Sequence, residues 1–149
     1  MSEESLTPTG PFIQAALICE KVLEEKDGVL SVIRVIDRLT HAINAPSLPA
    51  ELPQVTFPCV LLVMLKSGRA RGRHQVEVAM EHPSGRRNQI ISSSLQLEGE
   101  ERGANLVLRV GLTFDAEGLY WFDVILDDRL FTRIPFRMMY QLVSTGTRV

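Results

Sequence analysis

Apolar and polar residues alternate along most of this chain, and this period of two constrains the fold more than any other feature of the sequence. Successive side chains of a β-strand point to opposite faces, so an alternating segment forms a strand with one apolar face. Val76, Val78 and Met80, for example, alternate with Gln75 and Glu77. The pattern predicts an all-β protein. We expect strands at residues 13–20, 29–35, 56–65, 71–81, 88–97, 106–114, 120–126 and 130–140.

The first of these segments leaves an alternative open. Residues 15–25 are rich in Ala, Leu, Glu and Lys, which all favour helix, so a helix is the alternative to the first strand. The pair Asp27-Gly28 favours the strand, because both residues tolerate the positive φ of a tight hairpin turn. We therefore expect a β-hairpin at the start of the chain.

Turns recur at a spacing of roughly 8–12 residues, among them 66–68, 82–85 and 98–103. This spacing predicts a single antiparallel two-sheet β-sandwich of about eight strands. The longest predicted loop is 39–54, which contains three prolines and is the best place for a short helix or a functional insertion. Because proline lacks a backbone donor, Pro135 predicts an edge or a bulge in the last strand.

The length of the chain suits one domain. We expect that domain at residues 12–143, between polar tails at 1–11 and 144–149.

The first residues are acidic, whereas a secretory signal would be basic and then apolar. No run reaches the roughly 18 apolar residues of a membrane helix. We expect a cytoplasmic protein without membrane insertion. Cys19 and Cys59 are then reduced and buried, and a disulfide between them is the alternative.

Several stretches resemble a known family. They are ALICEKV at 16–22, GVLSVIRVIDR at 28–38, GLYWFDVILDD at 118–128 and TRIPFR at 132–137. They resemble the opening and closing segments of a family of small prokaryotic proteins of unknown function, over most of residues 12–141. The resemblance implies a compact β-sandwich and no activity or catalytic residue. The rhythm Gly-x-Tyr-x-Phe-x-Val in the third stretch is also similar to the late hairpin of immunoglobulin-like and C2-like sandwiches.

The sequence holds no recognisable catalytic arrangement. The candidate nucleophiles are Cys19 and Cys59, with His41, His74 or His82 as a base. Both cysteines lie in apolar segments, where burial raises the pKa of a thiol and makes it inert. We predict a protein that is not an enzyme, and a thiol-dependent enzyme using either cysteine is the alternative.

Residues that bind metals are not grouped in the sequence. His74 and His82 have no second pair to complete a zinc site. The acids at 115–117 and 127–128 lie at opposite ends of one predicted strand, so they cannot share a calcium ion. Up-and-down strands would collect other acids at one end of the sheet, together with basic residues. We predict no metal and no cofactor, with a calcium- or anion-binding C2-like module as the alternative.

A basic block includes Arg69, Arg71 and Arg73. Residues 66–87 hold six basic and two acidic side chains, although the whole chain has a net charge of -2. Such a block could hold phosphates. Nucleic acid is nevertheless not the predicted partner, because no aromatic residue lies within 58–113 to stack on bases. We interpret the three arginines as a contact surface, or as charges that protect edge strands from aggregation.

Trp121 is the most informative candidate for a binding residue, together with Arg133 and Arg137. Trp121 lies between Tyr120 and Phe122, so the period of two directs it away from the face that they occupy. An exposed tryptophan near arginine is typical of a contact anchor. The alternative is that another strand or the proline-rich loop covers this face. We predict a binding or scaffold module that contacts a protein partner or itself.

Overall fold

The computed structural model describes residues 9–143, and its regular secondary structure is entirely β-strand. The predicted all-β class is confirmed. The described range contains seven strands where eight were expected. In chain order they are β1 (Phe12–Glu24), β2 (Leu30–Val35), β3 (Arg38–Ile43), β4 (Val55–Glu81), β5 (Arg87–Phe114), β6 (Gly118–Leu126) and β7 (Arg129–Leu142).

The first hairpin forms as expected. β1 and β2 pair antiparallel on either side of the Asp27-Gly28 turn, where Gly28 adopts a φ of 85°. The N–H of Val29 donates to the Asp27 carboxylate at 3.1 Å. The helix alternative for this segment is wrong. β1 lies between β2 and β4, and its hydrogen bonds to both outweigh the helix propensity of its residues.

One hydrogen-bonded sheet joins the seven strands in the order β2-β1-β4-β6-β7-β3, with β5 also paired to β4. Neighbouring strands are antiparallel, except that β3 runs parallel to β7 from the pair Arg38–Arg137 to the pair Ile43–Leu142. The expectation of a wholly antiparallel arrangement is therefore wrong for β3. This strand occupies the start of the predicted loop 39–54, and its partner lies near the other end of the chain.

β4 and β5 form one long hairpin. The segments expected to be turns at 66–68 and 98–103 are bulged parts of continuous strands. Four expected strands thereby become two, and the additional strand β3 brings the total to seven. Gly68 adopts a φ of 58°, and the Ser67 hydroxyl donates to the carbonyl of Arg102 at 2.5 Å. A bulge bends a strand and increases its twist. The turn-like residues here bend the two strands and do not end them.

The bend brings the turn of this hairpin to its open end. His82, at the turn, contacts Asp115, which directly follows β5, with 2.7 Å between Nε2 and Oδ1. The first half of β4 (55–66) pairs with β1, and the second half (71–81) pairs with β6. β5 pairs with both halves.

The main hydrophobic core receives residues from both halves of β4. Leu61 and Val63 come from the first half, and Val76 and Val78 come from the second. All four are completely buried. Aromatic residues of β5, β6 and β7 complete the core: Phe114, Tyr120, Phe122 and Phe136.

A second apolar cluster lies on the opposite face of the first half of β4. Val60 and Leu62 alternate with the core residues and pack with Cys19 and Val22 of β1. Leu62 is 0% exposed. The first half of β4 is therefore buried on both faces.

Pro58 and Pro135 lie inside strands, at positions where the strand has a neighbour on one side only. The pairing of β1 with β4 reaches no further than Val60, and the pairing of β3 with β7 begins at Arg137. The missing N–H of each proline therefore costs no ladder hydrogen bond. The expectation that Pro135 marks an edge holds at this point of β7.

Most of the two predicted tails falls at 1–8 and 144–149, outside the described residues. In the remainder of the first tail, the carbonyl of Thr9 accepts a hydrogen bond from the Arg69 N–H at 2.7 Å. This short stretch is thus attached to β4. The single domain at 12–143 stays a prediction.

Candidate functional site

Three of the predicted binding residues lie on the outer face of β6 and β7. Tyr120 and Phe122 are completely buried in the main core, so Trp121 between them points the other way. Arg133 and Arg137 alternate with buried residues of β7. We call this surface the Trp121 face, and its residues are Glu81, Arg87, Leu119, Trp121, Asp123, Arg133, Pro135 and Arg137.

Three contacts hold the Arg133 guanidinium in place. Its Nε lies 2.6 Å from an oxygen of Asp123, and one terminal nitrogen lies 2.8 Å from Glu81. Its Cζ lies 4.6 Å from the centre of the Trp121 ring, in a cation–π contact. The hydrogen bonds that Arg133 donates to Asp123 and Glu81 raise the pKa of Arg133, so the side chain stays charged. Trp121 is half-buried, and Arg133 lies over its ring.

Asp123 is the buried centre of this face. The residue is 1% exposed, and its second oxygen lies 2.8 Å from a terminal nitrogen of Arg87. Arg87 and Arg133 approach from opposite sides, since they belong to β5 and β7. A buried carboxylate is stable only when it is paired and hydrogen-bonded, and both arginines meet this need. Asp123, Glu81 and Arg87 also belong to the site, although the sequence pattern does not indicate them.

A cavity of about 330 Å³ lies beside Trp121 on the same face. Leu119, Pro135 and Met139 form its apolar wall, and Arg38 and Arg137 are its basic residues, with Asp37 completing the lining. Pro135 is the register partner of Trp121. Within residues 9–143, the Arg137 guanidinium makes no hydrogen bond or ion pair.

Arg69, Arg71 and Arg73 are exposed but lie apart from Trp121. Arg71 donates to the carbonyl of Glu98 at 2.8 Å, and Arg73 donates to Ser94 at 3.1 Å. Along an extended strand of about 3.3 Å per residue, Arg73 is about 26 Å from the Glu81 end of β4. The six predicted binding residues therefore divide between two places on the surface.

Both cysteines are buried free thiols. Cys19 is 0% exposed and Cys59 is 5% exposed. Burial raises the pKa of Cys59 to about 11 and also raises the pKa of Cys19. A thiol with a raised pKa forms little thiolate, which is the nucleophilic species. These positions give no support to the alternative of a thiol-dependent enzyme.

Ser84, His82 and Asp115 are joined by hydrogen bonds at the turn of the long hairpin. Nδ1 of His82 lies 2.8 Å from the Ser84 hydroxyl, and Nε2 faces Asp115. The same Nδ1 also accepts the backbone N–H of Ser84 at 3.0 Å. That N–H bond makes Nδ1 an acceptor and leaves the Nε2 proton for Asp115. We interpret the array as a cap that fixes the turn and connects it to the end of β5.

Two of the acids expected at one end of the sheet, Asp127 and Glu98, are engaged with neighbouring groups. Asp127 accepts the Gln75 N–H at 2.9 Å and contacts His74, and Glu98 pairs with Arg102. Within residues 9–143, no three His, Cys, Asp or Glu side chains are close enough to hold a metal ion. Nor does that range contain a helix long and apolar enough to cross a membrane.

Comparison with solved structures gives distant likenesses. The chain is 12% identical to β-glucosidase 3B from Thermotoga neapolitana (TM-score 0.44), covering 57% of this chain and 15% of that one. It is 9% identical to the alkylpurine DNA glycosylase AlkC from Pseudomonas fluorescens (TM-score 0.49), covering 86% and 30%. An immunoglobulin-like protein from Pseudomonas aeruginosa is 13% identical (TM-score 0.34), covering 87% and 96%. The chain thus spans less than a third of the length of the first two proteins.

Comparison at the level of sequence gives one result. No curated protein matches the chain. The profile of one family, described as a family of unknown function (DUF6941), matches residues 14–139. The match extends from β1 to β7 and includes Trp121, Asp123, Arg133 and Arg137.

Proposed function

We propose that this chain, which belongs to the DUF6941 family of unknown function, is a non-enzymatic binding protein that contacts a protein partner through the Trp121 face. The resemblance of its sequence to a family of unknown function is thereby confirmed. The proposed role rests on the geometry of the face and not on the family. The observation that carries it is the fixed position of Arg133 over Trp121.

Arg133 is held before any partner arrives. Two carboxylates and one aromatic ring fix its guanidinium, although more than a third of its side chain is exposed. Tryptophan and arginine are enriched among the residues that dominate binding energy at protein interfaces. A side chain that is already ordered loses little conformational entropy on binding, which favours affinity.

The shape of the long hairpin supports the same proposal. We infer that the bent β4–β5 hairpin gives a two-layered sandwich in one domain at residues 12–143. The Trp121 face would then be the outer surface of one layer, with its back against the core. Such a rigid support suits a binding surface, because it holds Trp121 and Arg133 in one arrangement.

The two buried free thiols favour a cytoplasmic location for this protein.

A photo-crosslinking experiment tests the contact face. A photoreactive amino acid is placed at Gln89 or Leu119, on two sides of Trp121, and at Thr56 as a matched control on the other half of the β4–β5 hairpin. The full-length protein is irradiated in its own cells, and crosslinked products are identified by mass spectrometry. We expect one protein partner to crosslink from both test positions and not from Thr56.

A variant makes the test specific. Trp121→Ala should abolish the crosslink from Gln89, because it removes the anchor, whereas Trp121→Phe should retain part of it. Equal crosslinking from Thr56, or none from either test position, contradicts the proposal. Light scattering of the purified protein over a range of concentrations separates a second copy of this chain from a different partner.

A further inference from the structure

We propose that the cavity beside Trp121 receives an apolar side chain of an acidic peptide segment, and that Arg137 and Arg38 bind the carboxylate next to it. This inference rests on the proposed function and names the chemistry of the partner. Three observations carry it: the uneven distribution of charge on the Trp121 face, the pairing of two arginines across neighbouring strands, and the composition of the cavity wall.

Charge on the Trp121 face is neutralised at one end and not at the other. Arg87 and Arg133 both pair with the buried Asp123, and Arg133 also pairs with Glu81. Arg137 has no charged partner within residues 9–143. Within the described part of the chain, the one ion pair of Arg38 is with the neighbouring Asp37, at 3.2 Å, and both of these side chains are more than two-thirds exposed. The end of the face next to the cavity therefore carries unneutralised positive charge.

Arg38 and Arg137 are direct register partners on β3 and β7. Side chains of directly paired residues lie on the same face of a sheet, and like charges in this position repel each other. A carboxylate between the two guanidinium groups would remove that repulsion. It would also accept charge-assisted hydrogen bonds from both, which are stronger than neutral ones.

The cavity supplies the apolar half of the site. Its volume of about 330 Å³ is bounded by Leu119, Pro135 and Met139. Methionine adapts to side chains of different shape, which suits a pocket for one apolar residue of a partner. An apolar wall next to an unpaired guanidinium fits a ligand in which an apolar residue is followed or preceded by an acidic one. Disordered protein segments in which acidic and apolar residues alternate have this composition.

Peptide titration tests the inference. The probes are three capped tetrapeptides: Glu-Leu-Glu-Leu, the uncharged Gln-Leu-Gln-Leu, and Glu-Ala-Glu-Ala, which lacks large apolar side chains. The reporter is the indole N–H resonance of Trp121, the single tryptophan of the chain. We expect saturable shifts with the first peptide and binding about tenfold weaker with each of the others, which corresponds to about 1.4 kcal/mol.

Matched variants locate the carboxylate. Arg137→Gln should weaken binding of Glu-Leu-Glu-Leu about tenfold. Arg109→Gln, which removes the same charge from an exposed position on β5, should leave that binding unchanged.

Three results overturn the inference: equal binding of the glutamine peptide, unchanged binding by the Arg137→Gln variant, or no shift with any probe at millimolar concentration. The inference is also overturned if the Trp121 resonance shifts with protein concentration in the absence of peptide, because a second copy of the chain then fills the site. Specific crosslinking from Leu119 alongside any of these results leaves the proposed function standing.

Discussion

The first half of β4 is buried on both faces, between the main core and the second apolar cluster, whereas the second half buries one face and turns the other toward solvent. The sequence reflects this difference. The first half contains the uninterrupted apolar run VLLVML at 60–65, and the second half alternates between polar and apolar residues at 75–78. A single strand thus has one half that is buried on both faces and one half that keeps a polar face, and the proposed binding surface lies beside the second half.

The largest expected effect tests the claim that the first half is buried on both sides. Leu62→Ala should lower the free energy of unfolding by about 2–5 kcal/mol, because it leaves a cavity in the second cluster. The matched substitution in the polar face of the second half, Glu77→Ala, should change it by less than about 0.5 kcal/mol. Urea denaturation measures both values. Similar values for the two variants would mean that the two halves do not differ.

Asp123 is a buried charge on the solvent-facing side, beside the second half of β4. Asp123→Ala should cost about 1.5–3 kcal/mol, the usual contribution of hydrogen bonds to a charged group. Glu101→Ala, which removes an exposed carboxylate, is the control. If Asp123→Ala is as stable as this control, the Asp123 carboxylate does not hold Arg133 in position before a partner binds.

The contact between His82 and Asp115 connects the two halves of the long hairpin. His82→Ala should lower stability by about 1 kcal/mol through loss of this hydrogen bond and of the contact with Tyr120. A double-mutant cycle with Asp115→Ala separates the pairwise contribution from the rest. Additive effects of the two substitutions would show that the turn and the open end of the hairpin are not coupled.

The smallest expected effect depends on pH and lies at the start of the second half. Asp127 raises the pKa of His74 above its ordinary 6.5, and the pKa of Asp127 is lowered below its ordinary 3.8, chiefly by the Gln75 N–H and also by His74. The stabilisation from His74 is complete below pH 6.5 and is lost as the pH rises through the raised value. The contribution of Asp127 is complete above pH 3.8 and is lost as the pH falls through the lowered value.

Between pH 3.8 and pH 6.5, both His74 and Asp127 stabilise the fold. His74→Gln should therefore reduce the melting temperature more at pH 5.5 than at pH 8.5. His41→Gln is the control, because the His41 ring contacts Tyr140 and, within residues 9–143, no carboxylate. An equal reduction at both pH values for His74→Gln would exclude an ionic contribution from the pair.

The local parts of the fold follow from the sequence, and the bends do not. The Asp27-Gly28 hairpin is predictable because its turn chemistry and its pairing involve neighbouring residues. Gly68 and Gly99 favour positive φ equally well in a turn and in a bulge, so local chemistry cannot distinguish the end of a strand from its bending. The sequence does not predict β3, because its pairing partner, β7, lies near the other end of the chain.

The candidate site divides in the same way. The alternation around Trp121 places it opposite the core, and the short turn between β6 and β7 is sufficient to bring Arg133 opposite Asp123. Arg87 belongs to β5, and β4 separates it from β6. Its contact with Asp123 therefore depends on the complete strand order, which the sequence pattern does not specify.

The long hairpin also has a consequence for the order in which the chain can fold. Its paired residues lie close together in sequence at Glu81–Arg87 and become steadily more distant toward Val55–Phe114. Pairing that starts at the turn closes only a small additional loop with each new hydrogen bond, so the entropic cost is spread over many steps. β4 and β5 can therefore pair from the turn outward, before β1, β6 and β7 have joined the sheet. Folding speed should then depend more on the five residues between the two strands than on any other loop of the chain.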